Sequence, residues 1–215
     1  MIEKSTLNFL KLIKKNNNRI WFQAHKDLYE DARRNIEDIT MMLLGKVSQF
    51  DDSVMGIEPK QCIFRFYRDT RFSSDKSPYK TNFGILLNNR KSIQDIAVYY
   101  LHIEPESSAV YCGAHLPNSR FLYRMRKNIE KRFDEFMKII NDKEFKKYFK
   151  EIDSDKLKNV PRGFEKESRA AEFLKYKEYI VGSGYSDSEV TSSDFLDSVA
   201  KKFKAAKKFN EFLVG

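Results

Sequence analysis

Residues 65–81, read as Arg65-Phe66-Tyr67-Arg68-Asp69-Thr70-Arg71-Phe72-Ser73-Ser74-Asp75-Lys76-Ser77-Pro78-Tyr79-Lys80-Thr81, carry the densest set of chemically capable groups in this 215-residue sequence. Three arginines at three-residue spacing, with Lys76, Lys80, Tyr79 and several hydroxyls, offer the forked donors and point charges that recognise phosphate or carboxylate. Their convergence requires the chain to turn, and Ser73 to Pro78 is turn chemistry. The candidate ligand-binding set is therefore Arg65, Arg68, Asp69, Arg71, Lys76, Tyr79 and Lys80, joined by His102. That histidine lies on an alternating segment with Tyr100 and Glu104 on the same side, and reaches the loop if its strand neighbours that of Arg65. The competing expectation is that Asp69 and Asp75 lock the arginines into an ion-pair network that only ties the loop down. Acid–base chemistry has Asp69, Asp75, Tyr79, His102 and Glu104 to draw on, but local sequence pairs none of them.

Other signatures are missing. The chain has no GxSxG elbow, no GxxxxGK[ST] phosphate loop, no HExxH and no glycine-rich dinucleotide turn. Cys62 and Cys112 fall in apolar alternating segments and read as reduced core residues. Cys112 and His115 are three apart, and His25 or His102 would have to complete a metal set, but none of these spacings is that of a zinc site, so the sequence calls for no metal and names no cofactor.

Charge adds a second constraint. The net charge is +9 and the isoelectric point near 9.3, a balance suited to a polyanionic partner or simply to solubility. Between Lys60 and Lys91 eight basic residues face Asp69 and Asp75, a local net of +6. A second basic set, Arg120, Arg124, Lys127 and Lys131, recurs at helical spacing and forms one stripe. A third, KKFKAAKKF at 201–209, interleaves lysines with Phe203 and Ala206 as a terminal amphipathic helix does. No stretch approaches the roughly 20 apolar residues of a membrane helix, and the N-terminus lacks the apolar core of a signal peptide, so a cytoplasmic protein without a membrane partner is expected.

Elements that position these groups follow from periodicity. Thr6 is placed to cap a short helix bearing Leu7, Leu10 and Ile13, which Asn16, Asn17 and Asn18 break. Residues 19 to about 48 read as one long helix with Trp21, His25, Leu28, Ala32, Ile36, Ile39, Leu43 and Val47 on its apolar stripe, making His25 a packed histidine with one hydrogen-bond partner. The period then changes to two, with strand candidates at 62–67, 83–87, 96–104 and 109–114 joined by short linkers, hence antiparallel. From Asn118 helices return, with Leu122, Met125, Ile129, Phe133, Phe136 and Ile140 on one stripe, short helices near 142–151 and 168–177, a loop at 182–194, and a last helix from a Ser193 cap. Val160 to Phe164 reads as a turn between helices. The expectation is a single α+β domain over 1–215, helical at 1–50, an antiparallel sheet of about four strands at 60–115, and helical at 118–215.

Four segments, NNNRIWFQAHKDLYEDAR at 16–33, CIFRFYRDTRFSSDKSPYKTNFG at 62–84, YYLHIEPESS at 99–108 and LKNVPRGFEKESRAAEFLKYK at 157–177, resemble the bacterial and fungal family called domain of unknown function 2461. The resemblance spans most of the chain. It implies that Arg65, Arg68, Asp69, Arg71, Asp75, Lys76, Pro78, Tyr79 and Lys80 match the family signature, along with Trp21, Phe22, His25, Lys26, His102, Pro161 and Gly163. That family carries no established activity, so the resemblance supplies no substrate. Where family members tend to carry a glycine-rich stretch after the LHIEP strand, this chain has Tyr111-Cys112-Gly113-Ala114-His115, which puts any close backbone approach there in question. The residues themselves point to a small anionic, phosphate-bearing ligand held by the loop. The alternatives are a nucleic-acid-binding module that combines the three basic surfaces, and a purely structural ion-pair loop at a protein interface.

Overall fold

A computed structural model describes residues 1–88 and 94–215; Arg90 and Lys91, counted in the basic excess, lie outside the described residues. The chain begins with α1 (Lys4–Lys15), α2 (Arg19–Ala24), α3 (Lys26–Val47) and a short α4 (Pro59–Cys62). Strands β1 (Phe83–Leu86), β2 (Val98–Ile103) and β3 (Ser108–Ala114) follow, then α5 (Ser119–Lys131), α6 (Phe133–Ile140), α7 (Lys143–Tyr148) and α8 (Ala171–Leu174). Strand β4 (Tyr179–Tyr185), α9 (Asp187–Val190) and α10 (Phe195–Val214) complete it. The fold is α+β, a four-stranded antiparallel sheet in the order β1-β2-β3-β4 with helices at both ends of the chain.

Two compact units are distinguished: Met1–Asn89 with Tyr100–Val110 and Gly184–Ala200, and Arg90–Tyr99 with Tyr111–Ser183 and Lys201–Gly215. The first is organised around an aromatic cluster. Phe9, Phe22, Phe66, Tyr79 and Phe83 are all buried, Phe22 stacks on Tyr79 at 4.0 Å between ring centroids, and Phe66 packs on Phe83 at 5.2 Å. The second is filled by Phe121, Met125 and Ile129 of α5, Phe136 of α6, Tyr179 and Val181 of β4, and Phe203, Phe209 and Phe212 of α10.

The departures from expectation have local causes. Thr6 does not cap α1; it is buried, and its hydroxyl donates to the Asn35 side-chain oxygen at 2.9 Å, an atom that also accepts the Glu3 N–H at 3.0 Å. Asn18 is the cap, accepting the Trp21 N–H and opening α2. The helix expected over 19–48 breaks at His25, whose φ of −128° and ψ of 33° leave the helical region. Its ring is half-buried, not part of the core, stacked on Trp21 at 4.3 Å. Its Nδ1 donates to the Trp21 carbonyl at 2.8 Å.

Residues 62–67 are not the fourth strand. Cys62 ends α4, and beyond it only single bridges form, Ile63 with Ile85 and Tyr67 with Tyr79. The fourth strand is β4, inside the stretch expected to be helical and partly inside the expected loop, because Gly182, Ser183 and Gly184 hide the strand signal of Tyr179-Ile180-Val181. Gly113 of β3, with φ of +112°, is where the backbones meet: a Cβ there would sit 2.0 Å from the Tyr179 carbonyl oxygen. The close approach questioned from the sequence is thus kept by this one glycine.

Candidate functional site

Loop 65–81 has a neck and a tip. The neck is the Tyr67–Tyr79 bridge, flanked by the Arg68 N–H donating to the Pro78 carbonyl and the Lys80 N–H donating to the Phe66 carbonyl, each at 2.9 Å. Phe66 and Tyr79 sink it into the aromatic cluster. The Asn17 side chain, acting like a short strand, accepts the Tyr79 N–H at 3.1 Å and donates to its carbonyl at 2.9 Å. Burial raises the Tyr79 phenol above its usual value. Among the candidates, Tyr79 anchors the loop, its ring turned into the core.

The tip closes on itself. Arg68 donates to the Asp75 carboxylate, to the Ser77 carbonyl at 3.3 Å and to the Ser73 hydroxyl at 3.5 Å. Asp75 also accepts the Ser77 hydroxyl at 2.6 Å and its N–H at 2.9 Å, and these bonds together with Arg68 hold its carboxyl far below the usual carboxylate range. Arg71 grips Asp69 through two guanidinium N–H groups at 3.0 and 2.7 Å, which lowers the Asp69 carboxyl. Arg65 stands 3.9 Å from Asp69, and Lys76 donates to the Thr70 carbonyl at 3.0 Å. The ion pairs weighed against ligand binding in the sequence are therefore present.

Beside the loop lies a cavity of about 340 Å³ whose lining includes Lys14, Arg68, Asp75, Ser77, Lys80 and Thr81. Its one carboxylate, Asp75, is already engaged. The Lys80 ammonium lies over the Phe64 ring at 5.2 Å. Burial, with the charge of Arg65 adding to it, pushes Lys80 below its usual lysine value. Among the described residues neither Lys80 nor Lys14 has a carboxylate within 4 Å. Lys14 sits at the C-terminal end of α1, where a cation complements the helix dipole.

His102 belongs to a polar chain on β2. Leu101 and Ile103 are buried while Tyr100 and His102 share the other, half-buried face. Tyr100 Oη lies 3.2 Å from His102 Nδ1, His102 Nε2 lies 3.1 Å from Glu104 Oε2, and the Thr81 hydroxyl donates to Glu104 Oε1 at 2.7 Å. Burial works to raise the Glu104 carboxyl. The bonds from Thr81 and His102, with the charges of His102 and Lys14, outweigh it and hold the group below its usual value. An ionised Glu104 accepts only, so His102 Nε2 carries a proton; Nδ1 is then the ring atom that faces the Tyr100 hydroxyl.

The strand of His102 does not neighbour the Arg65 segment; β1 stands between them. Gly84 of β1 is in register with His102, and its carbonyl accepts the Phe64 N–H at 3.0 Å from the other side. Over Gly84 the two sides meet, with Phe64 and Tyr100 rings 6.0 Å apart. A Cβ on Gly84 would fall 2.5 Å from Tyr100 Oη and 2.8 Å from Phe64 Cδ2. Sequence reasoning missed Gly84, Thr81, Asn17 and Lys14. Only Asn17 left a trace, as part of an asparagine run whose length exceeds what a helix break needs.

The other basic stretches are partly neutralised. Lys127 of α5 donates to Glu130 and to the Gly163 carbonyl, both at 2.9 Å. Arg124 stacks on Phe121 at 5.3 Å. In α10 Lys202 is buried and Lys207 lies 3.4 Å from Glu211. Both cysteines are free and buried, burial pushing Cys62 up to about 11 and Cys112 well above its usual value, so neither is a ready thiolate. Among the described residues no three His, Cys, Asp or Glu side chains are grouped to hold a metal ion, and no helix is long and apolar enough to cross a membrane.

These features define an α+β protein whose signature loop folds over a small basic cavity next to a hydrogen-bonded tyrosine, histidine and glutamate. The family described as "Conserved hypothetical protein (DUF2461)" matches residues 5–212, and the chain belongs to it. No curated protein and no solved structure matches the chain.

Proposed function

We propose that the cavity beside loop 65–81 binds a small anionic, phosphate-bearing ligand. The supporting observation is its lining: Lys14, Lys80 and Arg68 against a single carboxylate that Arg68 and Ser77 already satisfy. A half-buried ammonium without a counterion gains more from an anion than an exposed one does, because burial withdraws the water that would otherwise solvate it. Lys80 is in that position. Ser77, Thr81, Asn17 and Asn82 complete the polar lining; the Ser77 and Thr81 hydroxyl protons are already given to Asp75 and Glu104, so the cations are what the cavity offers an anion. In this reading Arg68 contributes from a fixed position set by Asp75, whereas Arg65, Asp69, Arg71 and Lys76 shape the loop.

Thermal unfolding against a panel of inorganic phosphate, phosphorylated metabolites and nucleotides tests this. A ligand at about a hundredfold excess over its Kd should stabilise the protein by about 2.7 kcal/mol, and Lys80→Ala should abolish the gain while Lys131→Ala keeps it. Absence of any shift across the panel overturns the reading. Binding to duplex DNA with a steep salt dependence that substitution of Arg120, Arg124, Lys127 and Lys131 flattens would replace it by the nucleic-acid alternative.

A further inference from the structure

We propose that Tyr100, His102 and Glu104 form an acid–base relay that makes the Tyr100 hydroxyl a nucleophile. The order hydroxyl, imidazole, carboxylate is the arrangement that activates weak oxygen nucleophiles: a base within hydrogen-bond reach of the hydroxyl, and a third group fixing the base's tautomer. All three links are present, at 3.2 Å from Tyr100 to His102, 3.1 Å from His102 to Glu104, and 2.7 Å from Thr81 to the far oxygen of Glu104. The alternation of β2 is what puts the side chains on one face, and the missing side chain at Gly84 gives the Tyr100 hydroxyl its place. The packed face of β2 is made by Tyr99, Leu101 and Ile103, which leaves Tyr100 and His102 on the opposite, half-buried face.

Among the described residues, the charged groups around the relay include Glu104 itself, Lys14, whose charge acts on Glu104, and Lys80, which shares the Phe64 ring with Tyr100. The cations suit a phosphoester as substrate; this substrate class, though not the relay, rests on the anion-binding reading above. In the step, the Tyr100 oxygen bonds to phosphorus and its proton passes to His102 Nδ1. The bond from phosphorus to the ester oxygen breaks with its electron pair, and His102 returns the proton to the departing alkoxide. Water then bonds to phosphorus and gives its proton to His102 Nδ1, the bond from phosphorus to the Tyr100 oxygen breaks with its electron pair, and His102 returns the proton to the phenolate as phosphate leaves. Glu104 acts as a positioning residue throughout.

An aryl sulfonyl fluoride tests the activation without knowing the substrate. The tyrosine oxygen bonds to sulfur, fluoride leaves with the electron pair, and His102 takes the phenolic proton. Tyr67 and Tyr123, 51% and 48% exposed, are internal references, since exposure alone would label them ahead of half-buried Tyr100. Peptide mapping of the folded full chain should show Tyr100 labelled about tenfold faster than either, or more. The rate should level off below the ordinary phenol range near 10. His102→Gln should remove the advantage and make the rate climb only through that range; Glu104→Gln should reduce it and move the pH profile, with circular dichroism confirming the fold. Labelling of Tyr100 no faster than Tyr67, or unaffected by His102→Gln, overturns the relay; if His102→Gln does not fold, the comparison among tyrosines in the parent protein decides. If phosphate raises the melting temperature but Tyr100 gains no advantage, the relay fails and the binding reading stands. If Tyr100 is preferred but no phosphate compound shifts the melting temperature, the relay stands and the phosphoester class falls with the binding reading.

Discussion

The signature loop and the polar face of β2 handle charge in opposite ways. In the loop Arg65 and Arg71 are solvated and face Asp69 within a few residues: Arg71 is 77% exposed and Asp69 39%. On β2 the polar groups are few, with His102 and Glu104 only 20% and 21% exposed, and each is bonded to the next. Exposed pairs exchange water for a partner at almost no net gain, while half-buried groups bond strongly because water competes less. The density of arginines that draws the eye in the sequence is therefore mostly used to hold the loop's own shape. In the proposed reading, Lys14 and Lys80, with no carboxylate within 4 Å among the described residues, and the strand of hydroxyl, imidazole and carboxylate keep capacity for a ligand.

If Tyr79 is the loop's anchor, its loss should have the largest effect. Tyr79→Ala removes a buried ring stacked on Phe22 and should cost about 3–5 kcal/mol in denaturant unfolding, whereas Tyr79→Phe keeps the stack and should cost under about 1 kcal/mol. Phosphate affinity unchanged in Tyr79→Phe would agree with a ring that serves the core. Asn17→Ala, which leaves the N–H and carbonyl of Tyr79 without their partner, should cost about 1–3 kcal/mol. A stability loss from Asn17→Ala well below that range would show that water replaces the amide and that the neck holds without it.

Gly84→Ala probes the β2 face. The new Cβ falls on the Tyr100 hydroxyl and the Phe64 ring edge, both ends of side chains, so the strand can keep its register while the hydroxyl is displaced. A cost of about 1–3 kcal/mol is expected, with loss of preferential Tyr100 labelling. Thr81→Val acts on the same face more gently. Because the folded Glu104 carboxyl is held below its usual 4.5, its contribution is complete above that pH and is lost as pH falls through the lower folded value. Removing the Thr81 bond raises the folded value toward the unfolded one. The variant should thus be less stable than the parent at neutral pH, with the gap closing below pH 4.5, as urea titrations over pH 3–7 would show.

Much of this was legible in the chain. Two-residue alternation located β1, β2 and β3 because one side of each is packed, and it placed Tyr100, His102 and Glu104 together. The fourth strand escaped because Gly182 and Gly184 erase alternation while permitting it in three dimensions. Interruptions at His25 and Arg132 escaped because apolar spacing continues through them: the stripe from Trp21 to Val47 reports which residues face inward, not whether the backbone stays helical. The cavity was illegible for a different reason. Lys14, Asn17, Lys80 and Thr81 come from the end of one helix, the residues after it and the far side of a loop, and only tertiary packing joins them.

The smallest effect is expected at Arg71. Its guanidinium is spent on Asp69, two residues away, in a pair open to solvent, and it does not line the cavity. Arg71→Ala should leave the melting temperature unchanged in physiological salt, since an exposed local pair returns to water on both sides when broken. It should also leave phosphate binding unchanged, contrary to what the arginine spacing suggests. Arg68→Ala should weaken phosphate binding, because Arg68 lines the cavity and its removal leaves the Asp75 carboxylate facing the anion. Asp75→Asn in the same background separates the two contributions: restored binding would assign the loss to the exposed carboxylate, and unrestored binding to the missing guanidinium. If instead Arg71→Ala weakens phosphate as much as Arg68→Ala does, the tip opens to release Asp69 when ligand arrives, and the contrast between a self-satisfied loop and a receptive strand face collapses.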